Sequence, residues 1–381
     1  MSDSSMMSNI EDEWLFVYVL PNLSIRQAIG NEYVAIAPPN DPRIESLIQK
    51  HPNLQYFVSR FADQFRRPVI PSVLIVRNGI PRTVLESDAL ISLRNIFATC
   101  YVVTAWQDFL NRGWWLGATG YSDYFAIYPI SPDKEYKCFI TISPAMHGLD
   151  MPDEFSGQTA PELNGQVHDP QYDHLMFDTL MLEWEKRYVK GKLTNWRTTI
   201  LFRSLQLAYQ ASAIPMSNKS TIYDYGSSLA LWVSAFEVLV HPKGEYSGLS
   251  KVLDLLEQGP LHSRQLCSRS YSITRNTKGN KQRITLPQKL YHQIYKARND
   301  FLHGNPVTVK DLYPWSKIKR NPLNHFAPLL YKLALISFLH IYYYNGNIAD
   351  LPFEQYTSIR GLEEGLAKAT IDQNEKKHAT H

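Results

Sequence analysis

Arg298 and His303 lie five residues apart, near the end of one apolar-patterned stretch of the chain. A histidine can both take and give a proton near neutral pH. An arginine offers a permanently charged planar fork that can hold phosphate oxygens while negative charge builds up on them. With the 2′-hydroxyl of RNA as the nucleophile, such a pair needs no metal. These residue types therefore predict cleavage of an RNA phosphodiester, which DNA would resist.

The surrounding sequence predicts that this pair lies at the C-terminal end of a helix. Apolar residues recur there at three- and four-residue spacing, at Leu290, Ile294, Ala297 and Phe301. Gly304 occupies the position that favours a left-handed residue after a helix, and Pro306 cannot continue one. His303 is therefore expected in the last helical turn.

The spacing leaves the relative geometry of the two side chains open. Five residues of ideal helix rotate by about 500°, so Arg298 and His303 would point about 140° apart. Either the helix loosens at its end and swings the imidazole round, or two copies of the chain pool their pairs across a shared cleft. Alternatively, Arg298 caps helix carbonyls or bridges an acid, and His303 is a surface or interface residue.

The same spacing occurs a second time, at Arg320 and His325. Pro322 lies between them and would break a helix that carried both. We therefore interpret the second pair as a coincidence.

Residues 298–304 (RNDFLHG) and an earlier helical stretch at 229–240 (LALWVSAFEVLV) resemble the HEPN superfamily, specifically its Apea-like branch. The hallmark of that family is an arginine, usually followed by a polar residue such as Asn299, and a histidine after four intervening positions. The resemblance covers residues 170–350, about half of the chain. A sister group carries a modifiable tyrosine two residues after the histidine. Asn305 stands at that position here, which favours a self-sufficient nuclease.

The resemblance implies a metal-independent endoribonuclease whose catalytic centre forms where two helical bundles meet as a homodimer. Arg298 would bind the scissile phosphate, His303 would act as general base or acid, and Asn299 would orient one of them. Glu237, a carboxylate on an otherwise apolar helix face, would pair with Arg298, although a partly exposed helix flank is the alternative. Some family members keep the fold without activity, so a non-catalytic RNA-binding or dimerisation adaptor is the second reading.

A basic stretch precedes the proposed catalytic helix. The sequence has no Asp or Glu between Gln258 and Asn299. Six cations of this stretch are predicted to follow an RNA backbone: Arg264, Arg269, Arg275, Lys278, Lys281 and Arg283. A solvated, mobile loop without a ligand has the same polar composition, and the two readings are not exclusive.

Composition and motif content limit the number of domains, the location of the protein and the cofactors it could use. The 381 residues are 44% hydrophobic, which indicates a folded chain with room for two domains. Three scattered cysteines and an N-terminus without a basic and apolar leader favour the cytoplasm. The absence of an uncharged apolar run of membrane-spanning length argues against a membrane partner. Spacings typical of metal ligands and phosphate-binding loops are also missing, so no metal or cofactor is expected.

The order of patterns along the chain predicts an α+β protein. A disordered tail at 1–12 would precede a mixed α/β domain at 13–145, and a linker at 146–169 would lead to an all-helical HEPN-like domain at 170–350. Residues 351–381 read as a charged tail. By analogy with the family, the first domain would sense a phage or cellular trigger, in prokaryotic defence or in a toxin. The predicted helices of the second domain are 172–189, 195–211, 227–240, 249–257, 286–303 and 323–344.

Overall fold

The computed structural model describes residues 13–63, 65–113, 120–141, 155–156, 165–191, 195–214, 220–244, 248–263, 266–267, 270–274, 281–314, 321–342 and 353–369. Helices and small, mostly antiparallel sheets are both present, which confirms the predicted α+β class. The chain divides into two compact units. The first comprises Met1–Leu90 and Tyr124–Pro170, and the second comprises Ile91–Asp123 and Gln171–His381. The tail predicted at 1–12 lies outside the described residues.

The first unit is built on a four-stranded antiparallel sheet of order β1-β6-β4-β3. Shorter strand pairs join β2 to β10, β5 to β9 and β7 to β8. Helices α1 (Pro42–Lys50) and α2 (Pro52–Ser59) share one hydrophobic core with the sheet. The strands are β1 (Trp14–Leu20), β2 (Leu23–Ser24), β3 (Ile29–Gly30), β4 (Val34–Ala37), β5 (Phe61–Ala62), β6 (Ser72–Arg77), β7 (Ile130–Pro132), β8 (Phe139–Thr141), β9 (Phe155–Ser156) and β10 (Val167–His168).

The second unit is predominantly helical, and each of the six helices predicted there overlaps an observed one. Its central helix is mostly apolar, and every residue from Phe326 to Ser337 is buried, Lys332 included, as expected of a helix enclosed by others. The helices are α3 (Ser87–Arg112, of which residues from Ile91 belong to this unit), α4 (His174–Tyr188), α5 (Trp196–Ala213), α6 (Ile222–Leu239), α7 (Leu249–Glu257), α8 (Leu286–Leu302), the central α9 (Leu323–Leu339) and α10 (Phe353–Ala367).

The division into units differs from the predicted domains at helix α3, which the sequence placed inside the domain 13–145. Asn95 Nδ2 on α3 donates to Gln206 Oε1 on α5 over 2.6 Å, and the rings of Phe97 and Phe177 lie 5.1 Å apart. These contacts assign most of α3 to the helical unit. The helix is also long and apolar enough to cross a membrane, but 83% of its most apolar window is buried inside the protein, as expected of a core helix.

Two other predicted segments also differ from the structure. The described parts of the linker at 146–169 include strands β9 and β10, which pair in parallel with strands of the first unit. In the tail predicted at 351–381, Phe353–Ala367 form helix α10, whose buried residues pack into the second unit.

A buried polar cluster fixes α10 to the helical unit. Lys332 on α9 lies 3.1 Å from a carboxylate oxygen of Asp173, and both side chains are almost fully buried. The Lys332 ammonium also donates to Gln107 Oε1 over 3.0 Å and to Ser358 Oγ over 2.8 Å. The Ser358 hydroxyl in turn donates to Asp173. A buried charge needs such partners, and because Ser358 is one of them, α10 is held by polar contacts as well as by apolar ones.

The basic stretch contains ordered backbone in its described parts. Strand β11 (Tyr271–Thr274) pairs antiparallel with β12 (Lys281–Ile284), and β12 leads directly into α8. The sequence predicted an all-helical second domain, and this strand pair shows that the prediction was wrong in that respect. Residues 275–280, between the two strands, lie outside the described part of the chain.

Helices α6 and α8 approach closely at a glycine. A Cβ atom added at Gly226 on α6 would lie 2.4 Å from Cδ1 of Phe301 on α8. At the other end of the contact, the rings of Phe236 and Tyr291 lie 4.8 Å apart. The two helices therefore run antiparallel, and the face of α8 that meets α6 is fixed by this packing.

Gly226→Ala should destabilise the protein. The new methyl group would collide with the Phe301 ring, and such overpacking costs about 1–3 kcal/mol. The gain in helix propensity offsets at most about 1 kcal/mol of this. Urea unfolding measures the change. Phe301→Leu makes room for the methyl group, so Gly226→Ala should cost clearly less in that background. A stabilising effect of Gly226→Ala in the wild-type background would contradict the close approach.

Candidate active site

Helix α8 is regular up to the candidate histidine. Its N-terminus is closed by a capping box in which the Thr285 backbone N–H donates to Gln288 Oε1 over 2.8 Å. At the other end, the His303 N–H donates to the carbonyl of Asn299 over 2.9 Å, the bond of an ordinary α-helix. Gly304 follows with φ +70°, which ends the helix. The helix therefore does not loosen between Arg298 and His303. A loosened helix end was the first geometry considered from the sequence, and the structure shows that it is wrong.

The Arg298 guanidinium is directed away from His303. It extends back along α8, with its central carbon 5.8 Å from the centroid of the Tyr295 ring. Its Nη2 lies 3.5 Å from Glu237 Oε2 on α6, and its Nη1 donates to Asn299 Oδ1 over 2.8 Å. Glu237 and Asn299 are thus beside Arg298, whereas His303 points about 140° away on the regular helix.

Burial dominates the electrostatics around Arg298. The side chains of Arg298 and Glu237 retain only 21% and 18% of their exposure. Burial raises the pKa of Glu237, and the nearby Arg298 guanidinium partly offsets this. Burial also raises the pKa of Tyr291 well above its ordinary value, and the Glu237 carboxylate raises it further. Carboxylate, guanidinium and phenol therefore interact in one place between α6 and α8.

Two polar groups here lack a partner. The Tyr291 hydroxyl and Arg298 Nε are both buried without a hydrogen bond within the described part of the chain. Sequence reasoning missed Tyr291. The available signal was its position seven residues before Arg298, because two helical turns bring both side chains to nearly the same direction.

His303, in contrast, is exposed at the end of α8. Its backbone caps the helix, and its imidazole makes no hydrogen bond to any residue that the structure describes. The adjacent turn is closed by Asn305, whose Nδ2 donates to Asp300 Oδ1 over 3.0 Å. An exposed imidazole in this position is accessible for proton transfer to or from a bound molecule.

Of the six cations predicted to bind RNA, the structure describes two. Lys281 and Arg283 are exposed and alternate on β12, so they share one face of the hairpin. The other four lie outside the described residues: Arg264, Arg269, Arg275 and Lys278.

The second arginine and histidine with this spacing, Arg320 and His325, do not form a comparable site. Burial lowers the pKa of His325 to about 4. Its ring packs 4.7 Å from Trp106 and 5.2 Å from Phe109, measured between ring centroids. Arg320 lies outside the described residues. His325 is a neutral core histidine at physiological pH.

The described residues contain no group of three or more His, Cys, Asp or Glu side chains arranged to hold a metal ion. Comparison of the chain with protein-family models, with curated proteins and with solved structures found no match.

Glu237→Gln should preserve stability at acid pH and increase it near neutral pH. Because the pKa of Glu237 is raised in the folded chain, folding favours the protonated carboxyl. That contribution is complete below the ordinary glutamate pKa and is lost as the pH rises through the raised value. The glutamine side chain avoids the loss, with a gain of up to about 1 kcal/mol. Urea unfolding across a pH series measures it.

Glu183→Gln is the control, since it removes a carboxylate from an ion pair with the half-exposed Lys186. It should give no comparable gain near neutral pH. If Glu237→Gln instead lowered stability near neutral pH alone, the attraction between Glu237 and Arg298 would outweigh burial, contrary to this account.

Proposed function

We propose that this protein is a metal-independent endoribonuclease of the HEPN type that acts as a homodimer through its helical unit. The observation that carries the proposal is the exposed His303 imidazole at the end of a regular helix whose other side carries a desolvated arginine. A histidine available for proton transfer and an arginine suited to phosphate are the groups that RNA cleavage without a metal requires.

In the proposed reaction, His303 acts as general base or acid. The 2′-oxygen of the ribose loses its proton and attacks the adjacent phosphorus, and the bond from phosphorus to the 5′-oxygen breaks. The departing 5′-oxygen takes up a proton. Arg298 stabilises the negative charge that accumulates on the phosphate oxygens, and Asn299 orients the guanidinium through its bond to Nη1. The products carry 2′,3′-cyclic phosphate and 5′-hydroxyl ends.

The proposed homodimer accounts for the separation of the two side chains. Arg298 and His303 of one chain point about 140° apart, so a single chain cannot place both on one phosphate without a change in α8. In a two-fold dimer, Arg298 of one copy can face His303 of the other, and the arrangement then occurs twice.

The wider setting is inferred from the family resemblance. We assign the helical unit as HEPN-like and place the protein in the cytoplasm. Its role would be anti-phage defence or that of a toxin, with the first unit as the sensor of a phage or cellular trigger. Fold-level analogy is the support for this assignment.

A specific observation favours a second candidate function, a non-catalytic RNA-binding or dimerisation adaptor. Arg298 is already engaged by Glu237 and by Asn299 within a single chain. An arginine held in this way can serve to anchor α8 on α6. In that case His303 would contact RNA without cleaving it.

Incubation of the purified protein with total cellular RNA in EDTA tests the nuclease proposal. The wild-type chain should cleave the RNA and leave cyclic phosphate ends, whereas His303→Ala and Arg298→Ala should each lower the rate by at least about 100-fold. His168→Ala is the matched control, because His168 is an exposed histidine of the first unit, and it should cleave normally. Single-stranded DNA should remain intact.

Cleavage that persists in His303→Ala would contradict the assigned role of the imidazole. Intact RNA with the wild-type chain, together with RNA binding, would favour the adaptor.

A further inference from the structure

A stripe of basic side chains follows the exposed face of α8. Lys289, His292, Lys296 and His303 are separated by three, four and seven residues. On a helix that turns 100° per residue, these four directions fall within about 60° of one another. Because α8 is regular up to the His303 N–H, this periodicity holds along the whole stripe. Arg298 points to the opposite side, toward α6.

The stripe is accessible and continues beyond the helix. Lys296 and His303 are exposed, and Lys289 and His292 are half-buried. Strand β12 enters α8 through a single residue and presents two exposed cations on one face, at Lys281 and Arg283. Basic groups therefore occur at intervals from the hairpin to the candidate catalytic histidine.

The charges of the stripe repel one another. Burial lowers the pKa of Lys289, and the ammonium group of Lys296 lowers it further. The pKa of His292 is lowered first by burial and then by the same two lysines. His292 is three residues after Lys289 and four before Lys296, which places it beside both lysines on the helix surface. An anion bound along the stripe would relieve that repulsion.

The carboxylates near the stripe have other hydrogen-bond partners. Asp311 lies close enough to Lys296 for the lysine to lower its pKa, but its side chain accepts hydrogen bonds of 2.9 and 2.8 Å from the backbone N–H and the hydroxyl of Thr308. Asp300 lies one turn after Lys296 on the same side of α8, and its carboxylate accepts a bond from the Asn305 side chain. Neither removes the positive charge at Lys289.

We propose that the stripe formed by Lys289, His292, Lys296 and His303 binds the phosphates of a single-stranded RNA and leads the strand to His303. This inference deepens the proposed function and rests on it for the role of His303. The two lysines and His303 are spaced by two helical turns, about 10 Å, along α8. A flexible single strand can follow one helix face and place its phosphates beside successive cations.

The test is the affinity of a fluorescein-labelled single-stranded RNA for the full chain, measured by fluorescence anisotropy in EDTA at several salt concentrations. All variants carry His303→Ala, so that the RNA stays intact. Adding Lys289→Gln and Lys296→Gln should weaken binding at least tenfold. It should also reduce the slope of log affinity against log salt by about 1.4, the value for two lost phosphate contacts.

Two matched controls distinguish the loss of the stripe from a general loss of positive charge and from an effect of the substitutions on folding. Lys186→Gln with Arg360→Gln removes the same charge from cations that already face carboxylates, and it should leave affinity within about twofold. Lys289→Arg with Lys296→Arg keeps the charge and should keep both the affinity and the salt slope.

Unchanged affinity and salt slope in the double glutamine variant would overturn the proposal, as would a failure of the His303→Ala chain with both lysines intact to bind RNA. The failure of the nuclease proposal gives a different pattern. If the stripe variant loses binding while the wild-type chain leaves RNA intact, the stripe stands and the nuclease assignment falls. If the wild-type chain cleaves RNA and the stripe variant binds normally, only the stripe is wrong.

Discussion

The rotation of a regular α-helix governs everything proposed for this protein. Helix α8 continues without interruption to the His303 N–H, so each residue is turned 100° from the one before. This rotation directs Arg298 toward α6 and leaves His303 on the solvent side. It also aligns Lys289, His292 and Lys296 with the histidine. The helix therefore divides its polar residues between two faces. The outer face carries the side chains proposed to bind RNA, and the inner face carries the arginine proposed to stabilise the scissile phosphate.

Packing fixes which face is the inner one. The close approach of Gly226 to Phe301 brings α6 and α8 together, and the Glu237 carboxylate then lies beside the Arg298 guanidinium. Burial of that carboxylate is unfavourable enough to raise its pKa despite the neighbouring cation. A pair that stabilises the fold so little is more readily explained by the orientation it gives Arg298 than by its contribution to stability.

Much of the fold could be predicted from the sequence, because long helices carry a strong apolar period. Helix α10 escaped prediction because glutamates and glycines surround its buried Ile359, Leu362 and Leu366, and because polar contacts such as Ser358 to Lys332 help to hold it. The assignment of α3 to the second unit could not be predicted either, because it depends on contacts with residues distant in sequence, such as Asn95 to Gln206. For the site, the spacing predicted the helix end but left the direction of Arg298 open, since only packing against α6 determines it. Tyr291 was missed because a buried tyrosine resembles ordinary core.

In the proposed dimer, each active site would combine Arg298 of one copy with His303 of the other. Mixing and reannealing Arg298→Ala chains with His303→Ala chains tests this arrangement most directly, since each mixed dimer would contain one intact pair. The two inactive proteins should together regain about a quarter of wild-type RNA cleavage, because half of the dimers are mixed and each mixed dimer has one of two sites intact. A mixture that stays inactive, although mixed dimers are demonstrated by differential labelling, would contradict it.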